Sequence, residues 1–276
     1  RPVAYPVVSP ADADGMFDVL TFEKGASVVR MLEQYLGADR FRAGIRRYLA
    51  CHESGTTETS DLWDALEAET GEPVRRIAES WIFQGGFPEV TVGLNGGSVV
   101  TLTQRRFAFD DGDGEAGGSE DERWSVPVVV RHDGHGGDAQ RVLLDGDSTA
   151  VAIDGGAPGW VNANAGAHGF YRVRYTGALL GGLLDHLSAL SPLERYTVVD
   201  DAWAAVLSGS ITAADFVALV ERYGDERDLS VWERIVGGLG QIDRLADADA
   251  AIALHARVAA LTGPLRVELG AEARPG

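Results

Sequence analysis

The spacing of apolar residues changes twice along this chain, and this limits the folds open to it. From Val28 to Ile82 apolar residues recur with the 3.6-residue period of a helix, and from Val90 to Tyr175 they fall at every second position. From Gly177 to the end the helical period returns. The pattern predicts three parts: helical residues 1–86, a β-rich segment 87–176 and helical residues 177–276.

The first part predicts four helices after an irregular lead that contains prolines. The second predicted helix ends before a loop, and Gly71 ends the third predicted helix. Pro73 suits the first turn of the fourth predicted helix. Their apolar stripes are Val28, Val29, Leu32, Tyr35 and Leu36; Phe41, Ile45, Tyr48 and Leu49; Leu62, Ala65 and Leu66; and Val74, Ile77, Ala78, Trp81 and Ile82.

The stretch FDVLTFEKGASVVRML, residues 17–32, stands at the start of this helical part. Its glycine predicts a strand or turn that stops at Lys24–Gly25, with an amphipathic helix beginning after it. The residue at the predicted corner is Phe22, an aromatic side chain without a hydroxyl.

The middle part predicts seven short strands, a number that suits a β-sandwich of roughly 90 residues. Asn95-Gly96-Gly97 between two alternating runs is typical of a hairpin turn. Pro127 lies inside the run WSVPVVV, so that strand is expected at a sheet edge or at a bulge.

In the last part, apolar stripes of helical period recur along the chain, and their spacing predicts one pair of helices about every 36–40 residues. This repeat length is close to the repeat length of helical-hairpin arrays. The stripes lie around Leu183–Leu190, Tyr196–Leu207, Phe216–Tyr223, Trp232–Leu239 and Ile252–Leu261. Such arrays need a polar terminal cap, and none is recognised before Gly276, so the array is expected to continue.

Composition excludes several function classes. The 276 residues carry a formal net charge of −18, which argues against nucleic acid and against an anionic membrane surface. Cys51 is the only cysteine, so an intrachain disulfide and a cysteine zinc cluster are excluded. With no signal peptide and no apolar run long enough for a bilayer, we expect a cytoplasmic protein. Its targeting stays open because the chain begins at Arg1, and its oligomeric state stays open as well.

Three short motifs contain metal-ligand residue types. His52-Glu53 is the first half of a zinc-protease helix signature, but Thr56 stands where the second histidine is required, so we expect a polar helix end. The segment His132–Asp138 also contains Asp133 and His135, but in a glycine-rich hairpin without evident support for oriented ligands.

The third motif, DGDGEAGGSEDE, resembles a calcium loop. Asp111, Asp113, Glu115 and Glu122 match acidic loop positions, but Ala116 stands where the sharp turn requires glycine. We expect a solvated and poorly ordered acidic loop. No nucleotide-binding glycine loop or nucleophile elbow occurs in the sequence.

Five segments, in order, resemble aminopeptidase N-type zinc metallopeptidases (gluzincin aminopeptidases). They are MFDVLTFEKGASVVRMLEQYLG with FRAGIRRYL, TSDLWDALEAETGEPV, SWIFQGGFPEVTV, WVNANAGAHGFYRVRY and ERYTVVDDAWAAVLSG. They span nearly the whole chain and match the part of the family that follows its zinc-binding helices.

The resemblance implies a multi-domain fold containing both helices and strands. Residues 1–86 would be the helical end of a thermolysin-like catalytic domain, 87–176 a β-sandwich, and 177–276 the start of an α-helical superhelix of the HEAT or armadillo kind. The family's HExxH helix, its glutamate ligand and its Gly-x-Met-Glu-Asn substrate loop would lie before Arg1. The resemblance therefore implies zinc and peptide substrates for the complete protein, and no zinc and no activity for this chain alone.

One catalytic position of the family falls inside the chain. The family has tyrosine in the sequence Tyr-x-Lys-Gly, and its phenol donates a hydrogen bond to the oxyanion formed when zinc-bound water attacks. Phe22 occupies this position here, followed by Lys24 and Gly25. A deliberate substitution that traps substrate, a natural relative with little or no activity, and a purely packing aromatic all remain open.

Two functions follow. In the first, the chain is the C-terminal portion of a zinc aminopeptidase that removes N-terminal residues from peptides. In the second, it belongs to a non-catalytic relative whose helical array binds peptides or a protein partner.

Overall fold

The computed structural model describes residues 2–110, 122–134, 139–153 and 156–270. The predicted acidic loop lies outside the described residues except for Glu122, and so does the end of the His132–Asp138 segment. The chain forms two compact units: residues 1–108 with 115–180, and residues 109–114 with 181–276. We call them unit 1 and unit 2.

Unit 1 begins with helices. After the irregular lead, Ser9 caps a short first helix through a capping box with Asp12. The five helices are α1 (Pro10–Met16), α2 (Val19–Leu36), α3 (Ala38–Cys51), α4 (Thr59–Thr70) and α5 (Val74–Ile82). The predicted helical character of this part is confirmed, and Gly71 ends α4 in the left-handed conformation at φ 71°.

The predicted interruption at Lys24–Gly25 is wrong. Helix α2 begins at Val19, capped by Asp18, whose carboxylate accepts the Thr21 N–H at 2.8 Å, and it continues through both residues. A glycine inside a helix costs only about 1 kcal/mol relative to alanine. The burial of the later turns of α2, beginning at Val28, outweighs that cost.

Helix α3 forms as predicted, and Phe41, Ile45 and Tyr48 of its predicted apolar stripe are half-buried on the side of the helix that contains Gly44. Leu49 is exposed, while Gly44 is the buried residue of this helix. A Cβ at Gly44 would lie 2.6 Å from Leu66 Cδ2 and 3.1 Å from Leu66 Cα. The glycine therefore allows α3 and α4 to approach closely.

This contact predicts opposite effects for alanine at two helical glycines. Gly44→Ala should lower the free energy of unfolding by about 1 kcal/mol, because overpacking against Leu66 exceeds the gain in helix propensity. Gly25→Ala should raise it by about 0.5–1 kcal/mol, because no atom lies within 4 Å of the added Cβ. Urea unfolding of both variants tests this, and equal signs would contradict it.

Two small sheets follow in unit 1, and the seven predicted strands are confirmed. The strands are β1 (Pro88–Asn95), β2 (Val99–Arg106), β3 (Ser125–His132), β4 (Gln140–Asp145), β5 (Ser148–Ala152), β6 (Val161–Asn162) and β7 (Arg172–Tyr175). One sheet has the order β5-β2-β1-β7, with β1 and β7 parallel, and the other has the order β4-β3-β6.

The turn signal of these strands is confirmed, whereas the strand that contains Pro127 is the middle strand of its sheet and not an edge strand. Gly96 and Gly97 turn the β1–β2 hairpin at φ 59° and 78°. Pro127 pairs with Leu143 of β4, whereas β6 pairs with β3 only at its far end, at Arg131 and His132. Pro127 therefore lies on an edge portion of β3, where a missing N–H is tolerated.

The core of unit 1 joins its helices to its strands. Trp81 of α5 and Trp124 are both buried, their ring centroids lie 6.1 Å apart, and the Trp81 indole donates to the Ser125 carbonyl at 3.1 Å. Val90 and Val92 of β1 are also fully buried in this core.

Unit 2 is helical at the predicted positions, with α6 spanning its boundary. The helices are α6 (Leu179–Asp185), α7 (Pro192–Leu207), α8 (Ala213–Val220), α9 (Leu229–Leu245) and α10 (Ala248–Leu269), with 3₁₀ turns at Leu187–Ala189 and Glu221–Tyr223. Capping boxes at Ser191 and Thr212 begin α7 and α8. Across the described ranges, no helix combines the length and apolar character needed to cross a membrane.

Candidate functional site

Phe22 lies near the start of α2 and points away from the core. Its side chain is 61% exposed, and its ring centroid lies 6.0 Å from that of Phe17, which is 79% exposed. The Phe22 N–H donates to the Asp18 carbonyl at 3.3 Å, so the backbone of Phe22 belongs to the first hydrogen-bonded turn of the helix. Burial within this chain does not account for an aromatic residue here.

A phenylalanine ring at this position offers an apolar surface and no hydrogen-bond donor. The oxyanion role of this position stays a prediction, because no catalytic group is seen facing it among the described residues.

Lys24, the only lysine of the chain, lies on the opposite side of the same helix. It is 3% exposed, and its Nζ donates to the carbonyls of Gln84 at 2.8 Å and Gly86 at 3.0 Å. Burial, together with the nearby charge of Arg106, lowers the pKa of Lys24 to about 8. The amine keeps hydrogens for both carbonyls in either protonation state.

The segment that Lys24 binds connects α5 to β1, and we call Gln84–Gly86 the junction turn. The remaining carbonyl of this turn, that of the middle residue Gly85, accepts a hydrogen bond from Arg106 Nη1 at 3.0 Å. Arg106 also pairs with Glu122. Gly86 has φ 76°, and the Arg106 guanidinium lies 2.9 Å from where its Cβ would be. Two cations from different elements thus hold three successive carbonyls.

A shallow groove of about 350 Å³ runs along another face of α2. It lies between this helix and the loop Ala167–Phe170, and Glu23, Ser27, Arg30 and His168 contribute to its lining. Arg30 Nη2 lies 3.3 Å from His168 Nε2. Phe22 is not among the lining residues, so the groove does not enclose the candidate position.

The metal-like motifs do not form a metal site in the described part of the chain. Helix α3 ends at Cys51, and His52 and Glu53 follow in a loop, as predicted. The Asp133 carboxylate accepts a hydrogen bond from the Gly159 N–H at 2.9 Å, so this carboxylate connects two loops. No group of three histidine, cysteine, aspartate or glutamate side chains among the described residues could hold a metal ion. The described residues therefore do not fit a three-ligand zinc site.

Unit 2 contains a buried ion pair that the sequence did not reveal. The Glu226 side chain is 1% exposed and binds Arg195 through two hydrogen bonds of 2.6 and 2.9 Å. It also accepts the N–H groups of Arg227 and Asp228, both at 2.8 Å. Burial raises the pKa of Glu226, but these hydrogen bonds outweigh it and hold the pKa below its ordinary value.

Unit 2 also contains two open grooves, and one of them includes this pair in its lining. One, of about 540 Å³, is lined in part by Arg195, Arg222 and Glu226. The other, of about 680 Å³, lies at the starts of α7 and α9 and is lined in part by Tyr196 and Arg234. Arg222 pairs with Asp185 and Arg234 with Asp200, so both arginines already have carboxylate partners.

Two family descriptions match the sequence. The peptidase family M1 domain matches residues 1–81, which contain α2 and Phe22, and the ERAP1-like C-terminal domain matches residues 160–276.

Individual relatives match along most of this chain. Tricorn protease-interacting factor F2 of Thermoplasma acidophilum is 32% identical over 87% of this chain and 28% of its own length. Aminopeptidase M1 of Arabidopsis thaliana is 32% identical over 86% of this chain and 28% of its own length. Puromycin-sensitive aminopeptidase of Caenorhabditis elegans is 31% identical over 88% of this chain and 26% of its own length. The chain thus spans little more than a quarter of these relatives.

Proposed function

The chain belongs to peptidase family M1, and from that premise we propose that it is the C-terminal portion of a zinc aminopeptidase that removes N-terminal residues from peptides. The observation that carries the proposal is the match of residues 1–81 to the family M1 domain, with Phe22, Lys24 and Gly25 on one helix of that region. Relatives named as aminopeptidases support it.

The proposal assigns an architecture to the three parts of the chain. Residues 1–86 would be the helical end of a thermolysin-like catalytic domain, 87–176 a β-sandwich scaffold, and 177–276 the first part of a helical superhelix. The two small sheets and the helices of unit 2 are compatible with these assignments.

Phe22 is proposed to line the active site of the complete protein. Its ring would stand where a phenol in related enzymes donates to the oxyanion. Its exposure beside Phe17 supports this role, because a solvent-facing pair of rings is available to contact a substrate.

Zinc is proposed for the complete protein, with its ligands supplied by residues outside this chain. Since the described residues do not fit a three-ligand set, none of them is assigned to the metal. We therefore expect the 276-residue chain alone to be inactive.

An assay of both forms tests the proposal. The complete protein should release N-terminal residues from aminoacyl chromogenic amides and short peptides, and chelation followed by zinc addition should abolish and restore this activity. The chain alone, at equal concentration, should release none. Hydrolysis by the chain alone would contradict its expected inactivity, and a zinc-loaded complete protein without hydrolysis would contradict the enzymatic proposal.

A second candidate is a non-catalytic relative that binds peptides or a protein through its helices. One relative is named as a tricorn protease-interacting factor, which favours this alternative, and the grooves of unit 2 offer it a surface. Retention of an intact peptide by the complete protein in the same assay, without product, would support it.

A further inference from the structure

The buried side of α2 opposite Phe22 begins at Lys24. Residues two apart on a helix are separated by about 200°, so Phe22 and Lys24 point in nearly opposite directions. From Val19 to Glu23 the helix has no buried side chain, whereas Lys24, Val28 and Met31 are buried. Lys24 is therefore the first buried contact of the helix after the turn that carries Phe22.

The contact made by Lys24 is polar and directional. Its two hydrogen bonds to the junction turn connect residues that are 60 and 62 positions apart in sequence. An apolar side chain at this position would also be buried, but it would fix neither the rotation of the helix nor its position along its axis. Two bonds to carbonyls of a turn fix both.

The junction turn itself is held independently of α2. Gln84 Nε2 donates to the carbonyls of Ser80 at 2.7 Å and Arg123 at 3.0 Å, and Arg106 binds the Gly85 carbonyl. Lys24 therefore binds a turn whose position is already fixed by other hydrogen bonds.

We propose that Lys24 is a positioning residue that fixes the first turns of α2, and with them the Phe22 ring, against the junction turn. The inference rests on the proposed function, in which the Phe22 position faces the reacting group. A misplacement of a catalytic group by about 1 Å costs about 10²-fold in rate, so such an anchor would affect turnover and not only stability.

Hydrogen exchange of the complete protein tests the anchor without any reference to activity. Lys24→Met should speed exchange of the amides of residues 18–26 by about tenfold or more, because the first turns lose their tether. Arg30→Met is the matched control, since it removes another cation of the same helix, whose side chain is 48% exposed and contacts Glu33 and His168, and it should leave residues 18–26 unchanged. Lys24→Gln, with a shorter side chain that keeps a donor, replaces Lys24→Met if that variant does not fold.

Steady-state kinetics test the consequence for the ring. The kcat gain produced by Phe22→Tyr should shrink by about 10–100-fold when Lys24→Met is also present, with KM nearly constant. A merely stabilising lysine would lower the amount of folded protein and leave this gain intact.

The outcomes separate the two proposals. Unchanged exchange at residues 18–26 in Lys24→Met overturns the positioning role whatever the activity, and so does an undiminished kcat gain. If Phe22→Tyr alone gives no gain, the catalytic assignment of Phe22 fails, and the exchange measurement alone then decides whether Lys24 anchors the helix.

Discussion

Glu226→Gln is expected to lower the free energy of unfolding of unit 2 by about 3–5 kcal/mol. The substitution keeps the shape of the side chain but removes the charge that Arg195 binds, and the Arg195 side chain is only 19% exposed. Breaking a buried pair from one side leaves a poorly compensated charge, because Arg195 then keeps only its bond to the Leu190 carbonyl at 2.7 Å and a small contact with water. Urea unfolding followed by the signal of the helices in residues 181–270 measures the loss.

The chain offers a matched control for this prediction. Glu221 binds Arg257 through the same two-bond geometry, at 2.5 and 2.7 Å, but the side chains are 37% and 40% exposed. Because water solvates both partners, Glu221→Gln should change the free energy of unfolding by only about 0–1 kcal/mol. Similar losses in the two variants would mean that burial is not what makes the Arg195 pair important.

Because the pKa of Glu226 is lowered in the folded state, the stabilisation that this pair provides depends on pH. A carboxylate whose folded pKa lies below its ordinary value of 4.5 stabilises the fold fully above that value, and this contribution is lost as the pH falls through the folded pKa. The wild-type chain should therefore lose more stability in that acidic window than Glu226→Gln does.

Much of the fold could be predicted because periodicity and turn chemistry are local properties. The strands of residues 88–175 and the helices of 179–269 lie where the apolar spacing placed them. Gly71 and the Gly96–Gly97 pair adopt positive φ, which their sequence positions indicated. Such features depend on neighbours within a few residues.

The errors arise where a distant contact overrides a local signal. Gly25 is tolerated inside α2 because the later turns of that helix, from Val28 onward, bury one face, and Gly44 is buried because α4 packs onto it through Leu66. Glu226 stands in the charged run ERYGDERDLS, which locally indicates solvent exposure. Its partner, Arg195, is 31 residues away, so only the tertiary fold shows that the pair is buried.

The candidate site also has a part that the sequence predicted and a part that only the tertiary structure shows. The position of Phe22 was found from a motif, and its exposure on α2 is compatible with a role in substrate contact. The attachment of Lys24 to Gln84 and Gly86 was not predicted, because a lysine is normally solvated and nothing in the sequence relates it to that turn. A single lysine in the whole chain was the available signal.

Phe22→Tyr in the complete protein is expected to raise kcat by about 10²–10³-fold, with KM nearly constant. A phenol at this position adds one donor toward charge that develops only in the transition state, and one such donor contributes about 3–4 kcal/mol. Binding of the ground state should change little, because the ring and its apolar contacts are retained. Steady-state kinetics on an aminoacyl chromogenic amide measure both constants.

Phe17→Tyr supplies the control for this prediction. It adds the same hydroxyl to the neighbouring exposed ring, whose centroid lies 6.0 Å away, without placing it at the motif position. A general effect of a more polar surface would raise the rate in both variants, whereas an oxyanion donor raises it only in Phe22→Tyr. With equal zinc content in all proteins, an unchanged kcat for Phe22→Tyr would show that this ring does not face the oxyanion. Phe22 would then be an exposed aromatic residue on α2 without a part in the reaction.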